Sequence, residues 1–281
     1  METWLAPAKL NLFLHITGRR ADGYHTLQTA FQFLDFGDEL KFLITDDGRI
    51  RRAVPLPGVP EDKDLTLRAA RLLQETAAVT QGVEIHLTKR IPTGGGLGGG
   101  SSDAATTLLA LNQLWQVHLP IPELAALGLT LGADVPVFVH GHAAWAEGVG
   151  EVLTPIEPEE AWYLVVVPPV HVSTAQVFAD PQLTRYSPPI TIRAFHEGQG
   201  TRNDLEPVVR SRYPEVDRAL RLFAEFGAAR MSGSGGCVFL KVQDENRGRE
   251  LLKQIPKPYT GFVARGLNRH PFYSRIARQR A

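Results

Sequence analysis

Residues 94–100 read Gly-Gly-Gly-Leu-Gly-Gly-Gly, six glycines in seven positions. What flanks this run gives it meaning. Gly82–Lys89 (GVEIHLTK) alternates apolar and polar residues, as a half-buried strand does. Residues 101–115 (SSDAATTLLALNQLW) open with two capping residue types, Ser101 and Ser102, and continue with helix formers. The order is therefore strand, glycine turn, helix. Glycine lets backbone amides approach a ligand closely. A helix N-terminus adds unpaired N–H donors and a positive dipole end. The pattern predicts an anion site suited to a di- or triphosphate.

Known phosphate loops narrow that expectation. A Walker-type loop ends in Gly-Lys-Ser/Thr, but Gly99–Gly100–Ser101 carries no lysine. Gly94, Gly96 and Gly99 match the spacing of a dinucleotide fingerprint, which also needs a strand ending in an acidic residue about twenty positions on. Leu119–Leu124 (LPIPEL) holds two prolines and cannot be that strand, which leaves Glu123 a poor ribose ligand. Protein-kinase signatures are absent from the sequence. An unliganded flexible loop is the bland reading, and six glycines ahead of a capped helix weigh against it.

Charge and cysteine content bound the function classes. Thirty basic and thirty acidic residues balance, which disfavours a general nucleic-acid binder. The single cysteine, Cys237, allows no internal disulfide, and METWLAPAKL lacks the features of a signal peptide. The apolar run around Trp162–Pro169 is too short to span a bilayer. These features predict a cytoplasmic protein with no membrane or nucleic-acid partner, a monomer or weak homodimer. Histidines 140 and 142 form no recognisable metal set, so no protein metal site is expected.

Elsewhere the pattern predicts strands at Trp4–Ile16 and Glu39–Thr45. Helices are expected at 63–79, with Asp64 as N-cap, and at 123–131. The Pro- and Glu-rich stretch at 154–161 marks a domain boundary, giving units 1–154 and 155–281. Beyond it the sequence predicts a strand at WYLVVVP, a Pro-rich loop with a short helix at 181–203 and a helix at 214–227. CVFLKV then reads as a strand, followed by a helix near 244–254 and a strand near 259–266. This is an α+β order.

Two charged residues stand out. Lys9 interrupts the apolar LAPAKLNLFL, as an exposed edge residue or a functional charge, since a buried unpaired lysine is costly. Asp134, two residues before Pro136, reads as a helix N-cap or a general base, and one residue can be both.

Three segments together carry a family resemblance. Residues 6–29 (APAKLNLFLHITGRRADGYHTLQT), 92–105 (PTGGGLGGGSSDAA) and 231–238 (MSGSGGCV) resemble, in order, the three motifs of the GHMP kinases. Lys-Leu-Asn-Leu, DGYH and residues 131–151 further resemble the branch that phosphorylates 4-diphosphocytidyl-2-C-methyl-D-erythritol. A homoserine- or mevalonate-type kinase is the alternative within the family, and a non-catalytic nucleotide-binding module the alternative outside it. The resemblance implies a two-domain GHMP kinase fold. Its N-terminal domain would be like domain 2 of ribosomal protein S5 and its C-terminal domain ferredoxin-like, with ATP and substrate meeting between them.

The resemblance also implies roles. Asp134 would be the general base and Lys9 its cationic partner. ATP would lie against Lys89, Pro92, Thr93, Gly94, Gly95, Gly96, Leu97, Gly98, Gly99, Gly100, Ser101 and Ser102, with Mg²⁺ as cofactor. Asn11 and His25 would bind the cytidyl substrate, with Tyr24 and Phe178 stacking on its base from two sides, and Thr174 holding its diphosphate or ribose. For Phe178, core packing is the competing reading, and Ser101 and Ser102 have a purely structural capping job open to them.

Overall fold

The computed structural model describes residues 1–279 of the chain. β1 (Trp4–Arg19) and β2 (His25–Thr45) pair antiparallel along nearly their whole length, with Trp4 opposite Leu40 and Arg19 opposite His25. The apolar run of β1 is buried almost throughout, which explains why its sequence lacks clean alternation. β2 begins at His25 rather than at the expected Glu39. Its first half hides polar side chains, Gln28, Thr29 and Gln32, that stay buried because they are hydrogen-bonded. That masks the strand signal.

The β1–β2 ladder slips register at three places, between Pro7 and Lys9, Asn11 and Leu14, and Ile16 and Gly18. Such irregularities re-aim side chains. The first two bracket Lys9 and Asn11.

β3 (Ile50–Arg52) lies parallel to β4 (Gly82–Thr88), joined through α1 (Leu65–Thr76). Asp64 caps α1 as expected, accepting from the amides of Thr66 and Leu67 at 2.9 and 3.4 Å. α2 (Gly99–Leu114) starts earlier than Ser101, and Gly98 is its N-cap in the left-handed conformation, φ 73°. The expectation that the serines cap this helix is corrected. A left-handed cap calls for glycine, and Ser101 and Ser102 fall inside the first turn. α3 (Ile121–Leu131) and α4 (Val135–His140) follow, then β5 (Ala144–Glu147) and β6 (Val152–Pro155).

The second half runs β7 (Trp162–Val167), α5 (Thr174–Phe178), α6 (Ile192–His196), α7 (Glu206–Arg212) and α8 (Pro214–Ala224). β8 (Arg230–Met231), β9 (Val238–Val242), α9 (Glu245–Leu252), β10 (Thr260–Leu267) and α10 (Pro271–Gln279) complete it. The sheet order β10-β7-β9-β8, antiparallel at each pairing, with α8 and α9 as the connecting helices, is a ferredoxin-like βαββαβ arrangement. β10 also pairs with β2 at Gly266–Leu34 and Leu267–Phe33. One sheet therefore runs through both halves.

The first half's core packs α1, α2 and α4 on the sheet. Phe33 of β2 meets Phe138 of α4 with ring centroids 5.5 Å apart, and both are fully buried. Burying one such ring stabilises by about 1.5–3 kcal/mol. α4 is thereby fixed against the sheet, and Asp134 sits at its N-terminus.

Candidate active site

A cleft of about 1040 Å³ is lined by both sequence halves. At its centre lies the glycine loop. Gly94, Gly96 and Gly98 take φ values of 72°, 74° and 73°, so the loop turns left-handed at alternate positions. A Cβ on Gly96 would overlap the Ser232 carbonyl oxygen. The loop is pinned by backbone bonds from Lys9 N–H to the Leu97 carbonyl (2.9 Å) and from Cys237 N–H to the Gly95 carbonyl (3.1 Å). The Ser232 hydroxyl donates to the Gly96 carbonyl at 3.1 Å. All three sequence motifs thus meet at one turn. The first helical bond runs from Ser102 N–H to the Gly98 carbonyl, which leaves the amides of Gly99, Gly100 and Ser101 free of helical partners. Free amides at a helix N-terminus are the kind of donors that suit an anion.

Lys9 is 3% exposed, so the edge-residue reading is set aside. Its ammonium lies 3.3 Å from the Asp134 carboxylate, donates to the Asn11 side-chain oxygen and to the Gly96 carbonyl (3.1 Å), and sits over the Phe31 ring. Asp134 occupies the N-cap position of α4, yet its side chain makes no capping bond. Its side chain is 35% exposed and faces the cleft. The carboxylate is thus held by one cation and open to a ligand. Asn11 accepts from Lys9 and donates to the Thr29 hydroxyl at 3.0 Å, so much of its amide is engaged in placing Lys9.

Lys89 also reaches the cleft, bridging two buried carboxylates, Asp38 and Asp103. Burial opposes its charge, but Asp103 and Asp38 outweigh that and hold the ammonium above its ordinary range. Asp38 additionally accepts from the amides of Arg90 (2.5 Å) and Ile91 (2.8 Å), locking the end of β4 that leads into the loop.

At the opposite end, His25 and Phe178 face each other with ring centroids 5.3 Å apart and planes at 36°. Tyr24 lies at the rim, 67% exposed. The Thr174 hydroxyl is 2.5 Å from that of Ser234, so α5 touches the third motif.

The sequence profile of the GHMP kinases N terminal domain matches residues 64–142, and that of the GHMP kinases C terminal matches residues 191–261. A 4-diphosphocytidyl-2-C-methyl-D-erythritol kinase of Thiobacillus denitrificans is 60% identical over 268 residues, 95% of this chain and 96% of that protein. The chain belongs to the GHMP kinase family. A kinase of the same name from Pseudomonas savastanoi is 58% identical, covering 94% of this chain and 91% of the relative. Among solved structures, a 4-(cytidine 5'-diphospho)-2C-methyl-D-erythritol kinase superposes with a TM-score of 0.82 at 34% identity, covering 94% of this chain and 99% of that one. The Methanococcus jannaschii mevalonate kinase shares the fold, with a TM-score of 0.71 at 19% identity over 95% of this chain and 98% of the other.

This GHMP kinase gathers Lys9, Asn11, Tyr24, His25, Lys89, Thr174, Phe178, Asp134 and residues 92–101 around one cleft. Ser102 alone of the expected ligands is wholly buried behind it, in the first turn of α2. Sequence reading left three features of the cleft unassembled. Leu56 and Val59 form the cleft wall before α1, in a Pro/Gly-rich setting (PLPGVP) that gives only a loop signal, and Lys63 and Leu65, inside the expected helix 63–79, carry no local sign that they face a cleft. Asp38 sits 51 residues from Lys89, and no local pattern joins the two carboxylates to that lysine, although the second motif by itself shows that Asp103 puts a charge near the phosphates. Arg185, which touches His25, lies in a segment read only as a Pro-rich loop.

Proposed function

We propose that this GHMP kinase transfers the γ-phosphate of ATP to the 2-hydroxyl of 4-diphosphocytidyl-2-C-methyl-D-erythritol, giving the 2-phosphate and ADP in non-mevalonate isoprenoid synthesis. The observation that carries the reading is the Lys9–Asp134 pair, 3.3 Å apart, beside the open N-terminus of α2. Relatives at 60% and 58% identity, named for that activity, support the substrate.

The chemistry follows from the arrangement. The triphosphate lies along the amides of residues 94–101, with its charge toward the α2 N-terminus. Asp134 accepts the proton of the attacking hydroxyl and aligns its oxygen on the γ-phosphorus. Lys9 pairs with that carboxylate at 3.3 Å and offsets charge on the transferring group. Asn11 and the Gly96 carbonyl hold Lys9 in place, so the cation needs no rearrangement as the reaction proceeds. His25 and Phe178 receive the cytosine, and Tyr24 closes over it from the rim.

Among the described residues, no three His, Cys, Asp or Glu groups gather to hold a metal. The donors that suit Mg²⁺ are the nucleotide phosphates, assisted by the Ser101 hydroxyl, which lines the cleft. Bound there, Mg²⁺ neutralises phosphate charge.

The test is to supply Mg²⁺ and ATP with the cytidyl substrate, mevalonate or homoserine separately. ADP release and phosphorus NMR of the product are followed. Phosphorylation of the cytidyl substrate alone, at its 2-position, is the expected result. Turnover only with mevalonate or homoserine overturns the substrate assignment.

A further inference from the structure

We propose that Arg185 is a positioning residue that holds His25 as a hydrogen-bond donor at Nδ1, so that the cleft selects a pyrimidine with an acceptor edge, cytosine rather than uracil. This rests on the cytidyl-substrate reading above and adds to it a residue and a rule of selection.

Arg185 lies between α5 and α6, and its guanidinium has five N–H donors. Each meets an acceptor. Nε donates to His25 Nε2 at 3.2 Å. Nη1 donates to the carbonyls of Leu183 (3.0 Å) and Pro181 (3.5 Å). Nη2 donates to those of Asp180 (2.6 Å) and Phe178 (3.4 Å). Four carbonyls fix the guanidinium, and the fifth donor fixes a histidine on a different element, β2. No other side chain supplies five donors in one plane, and lysine offers three without a fork.

The bond to His25 has a chemical consequence. A guanidinium never accepts a hydrogen bond and does not deprotonate in proteins. The imidazole nitrogen facing it must therefore present its lone pair. In a neutral imidazole the proton then resides on the other nitrogen, Nδ1. His25 is kept neutral as well, because burial, then Arg185, then Arg19 all hold its pKa below the ordinary range. Arg185 and Arg19 are the charged groups that act on this ring, and both are cations.

His25 lines the cleft, and with Nε2 turned to Arg185 the nitrogen left for a ligand is an N–H donor, on a ring 5.3 Å from that of Phe178, whose own carbonyl is tied to the same guanidinium. Arg185 thus sets both the spacing of the two rings and the polarity of the His25 edge. Cytosine offers acceptors at N3 and O2. Uracil carries a hydrogen at N3, which would leave two donors facing each other, and such a mismatch is how a site rejects the wrong partner. Had the tautomer been the reverse, Nδ1 would accept and the preference would invert.

Two variants, Arg185→Gln and Arg185→Lys, test this alongside the wild-type protein. Nitrogen NMR of histidine-labelled, unliganded protein reads the tautomer directly. The wild type is expected to show His25 protonated at Nδ1. Arg185→Gln is expected to mix the tautomers and to raise the pH at which the ring protonates toward the ordinary histidine range. Calorimetry with CDP and UDP reads the selection. We expect wild-type preference for CDP to fall by about tenfold or more in Arg185→Gln, an effect of 1.4 kcal/mol per factor of ten. KM for the cytidyl substrate should rise similarly at unchanged KM for ATP, with Arg185→Lys intermediate.

Loosening of the 178–185 segment alone would weaken CDP and UDP equally and leave the tautomer unmoved, and that result overturns the proposal. So does a wild-type His25 protonated at Nε2. A wild type that selects CDP but does not phosphorylate the cytidyl alcohol would sink the functional reading and leave this inference standing.

Discussion

At the end of the cleft proposed to take the triphosphate, the phosphate end, Lys9 is 3% exposed and its partners come from Asp134, Asn11 and the glycine loop. At the end proposed to take the cytosine, the base end, Tyr24 is 67% exposed, and the His25 ring beside Phe178 is hydrogen-bonded by an arginine from a third segment. The phosphate end is built from a bulged strand, a helix terminus and backbone bonds, which hold the reacting groups with little freedom. The base end is built from side chains on a strand end, a five-residue helix and a loop. Rigid placement matters where charge moves, because preorganised dipoles need no rearrangement in the transition state. Recognition of a flat base tolerates a more open frame, because stacking is broad in geometry.

Removing one group from each end sharpens this contrast. Asp134→Asn should cause the largest loss, lowering kcat by about 10²–10⁴-fold, the usual worth of a general base. ATP affinity should change little, as read by calorimetry. A kcat loss of only a few-fold would make positioning, rather than proton transfer, the role of this carboxylate.

Gly96→Ala should come next. The new Cβ would meet the Ser232 carbonyl, at a φ of 74° that alanine rarely adopts. Strain of about 1–3 kcal/mol is expected. It should appear as a lower Tm and a raised KM for ATP, and an unchanged KM would show that the loop is not the triphosphate cradle.

Phe178→Ala should weaken the cytidyl substrate by about 1–3 kcal/mol, the worth of one stacked base. KM for that substrate should rise while KM for ATP and kcat stay close to wild type. Equal losses for both substrates would favour the core-packing reading of this ring.

Asp103→Asn should be the smallest effect, and one that depends on pH. Burial, opposed by Lys89 and helped by Asp38, pushes the Asp103 carboxyl up to about 7. In the unfolded chain it titrates near about 3.9. Between these values the unfolded state releases its proton first, so the group costs the fold progressively more stability as pH rises through that window. The variant lacks this slope. Its Tm relative to wild type should therefore be more favourable at about pH 8 than at about pH 5, as read by thermal unfolding. A pH-independent difference would show that Asp103 is ionised throughout.

The phosphate end was also the more legible in the sequence. Six glycines ahead of a helix signal leave few structural options, and Asp64 announces α1 because a cap and its helix are neighbours in the chain. The start of α2 was misplaced because capping statistics favour serine, whereas the left-handed turn at Gly98 selects glycine. The first half of β2 escaped because Gln28, Thr29 and Gln32 look solvent-facing until their buried partners are known. The Asp38–Lys89–Asp103 cluster and the Arg185–His25 bond join residues far apart in the chain. Local periodicity carries no trace of such pairings.

A crystal structure with a non-hydrolysable ATP analogue and 4-diphosphocytidyl-2-C-methyl-D-erythritol bound together tests the centre of this account most directly. The triphosphate should follow the amides of residues 94–101. The acceptor 2-hydroxyl should lie within about 3 Å of the Asp134 carboxylate, in line with the γ-phosphorus. A substrate whose hydroxyl is turned away from Asp134 and met by another group would contradict it.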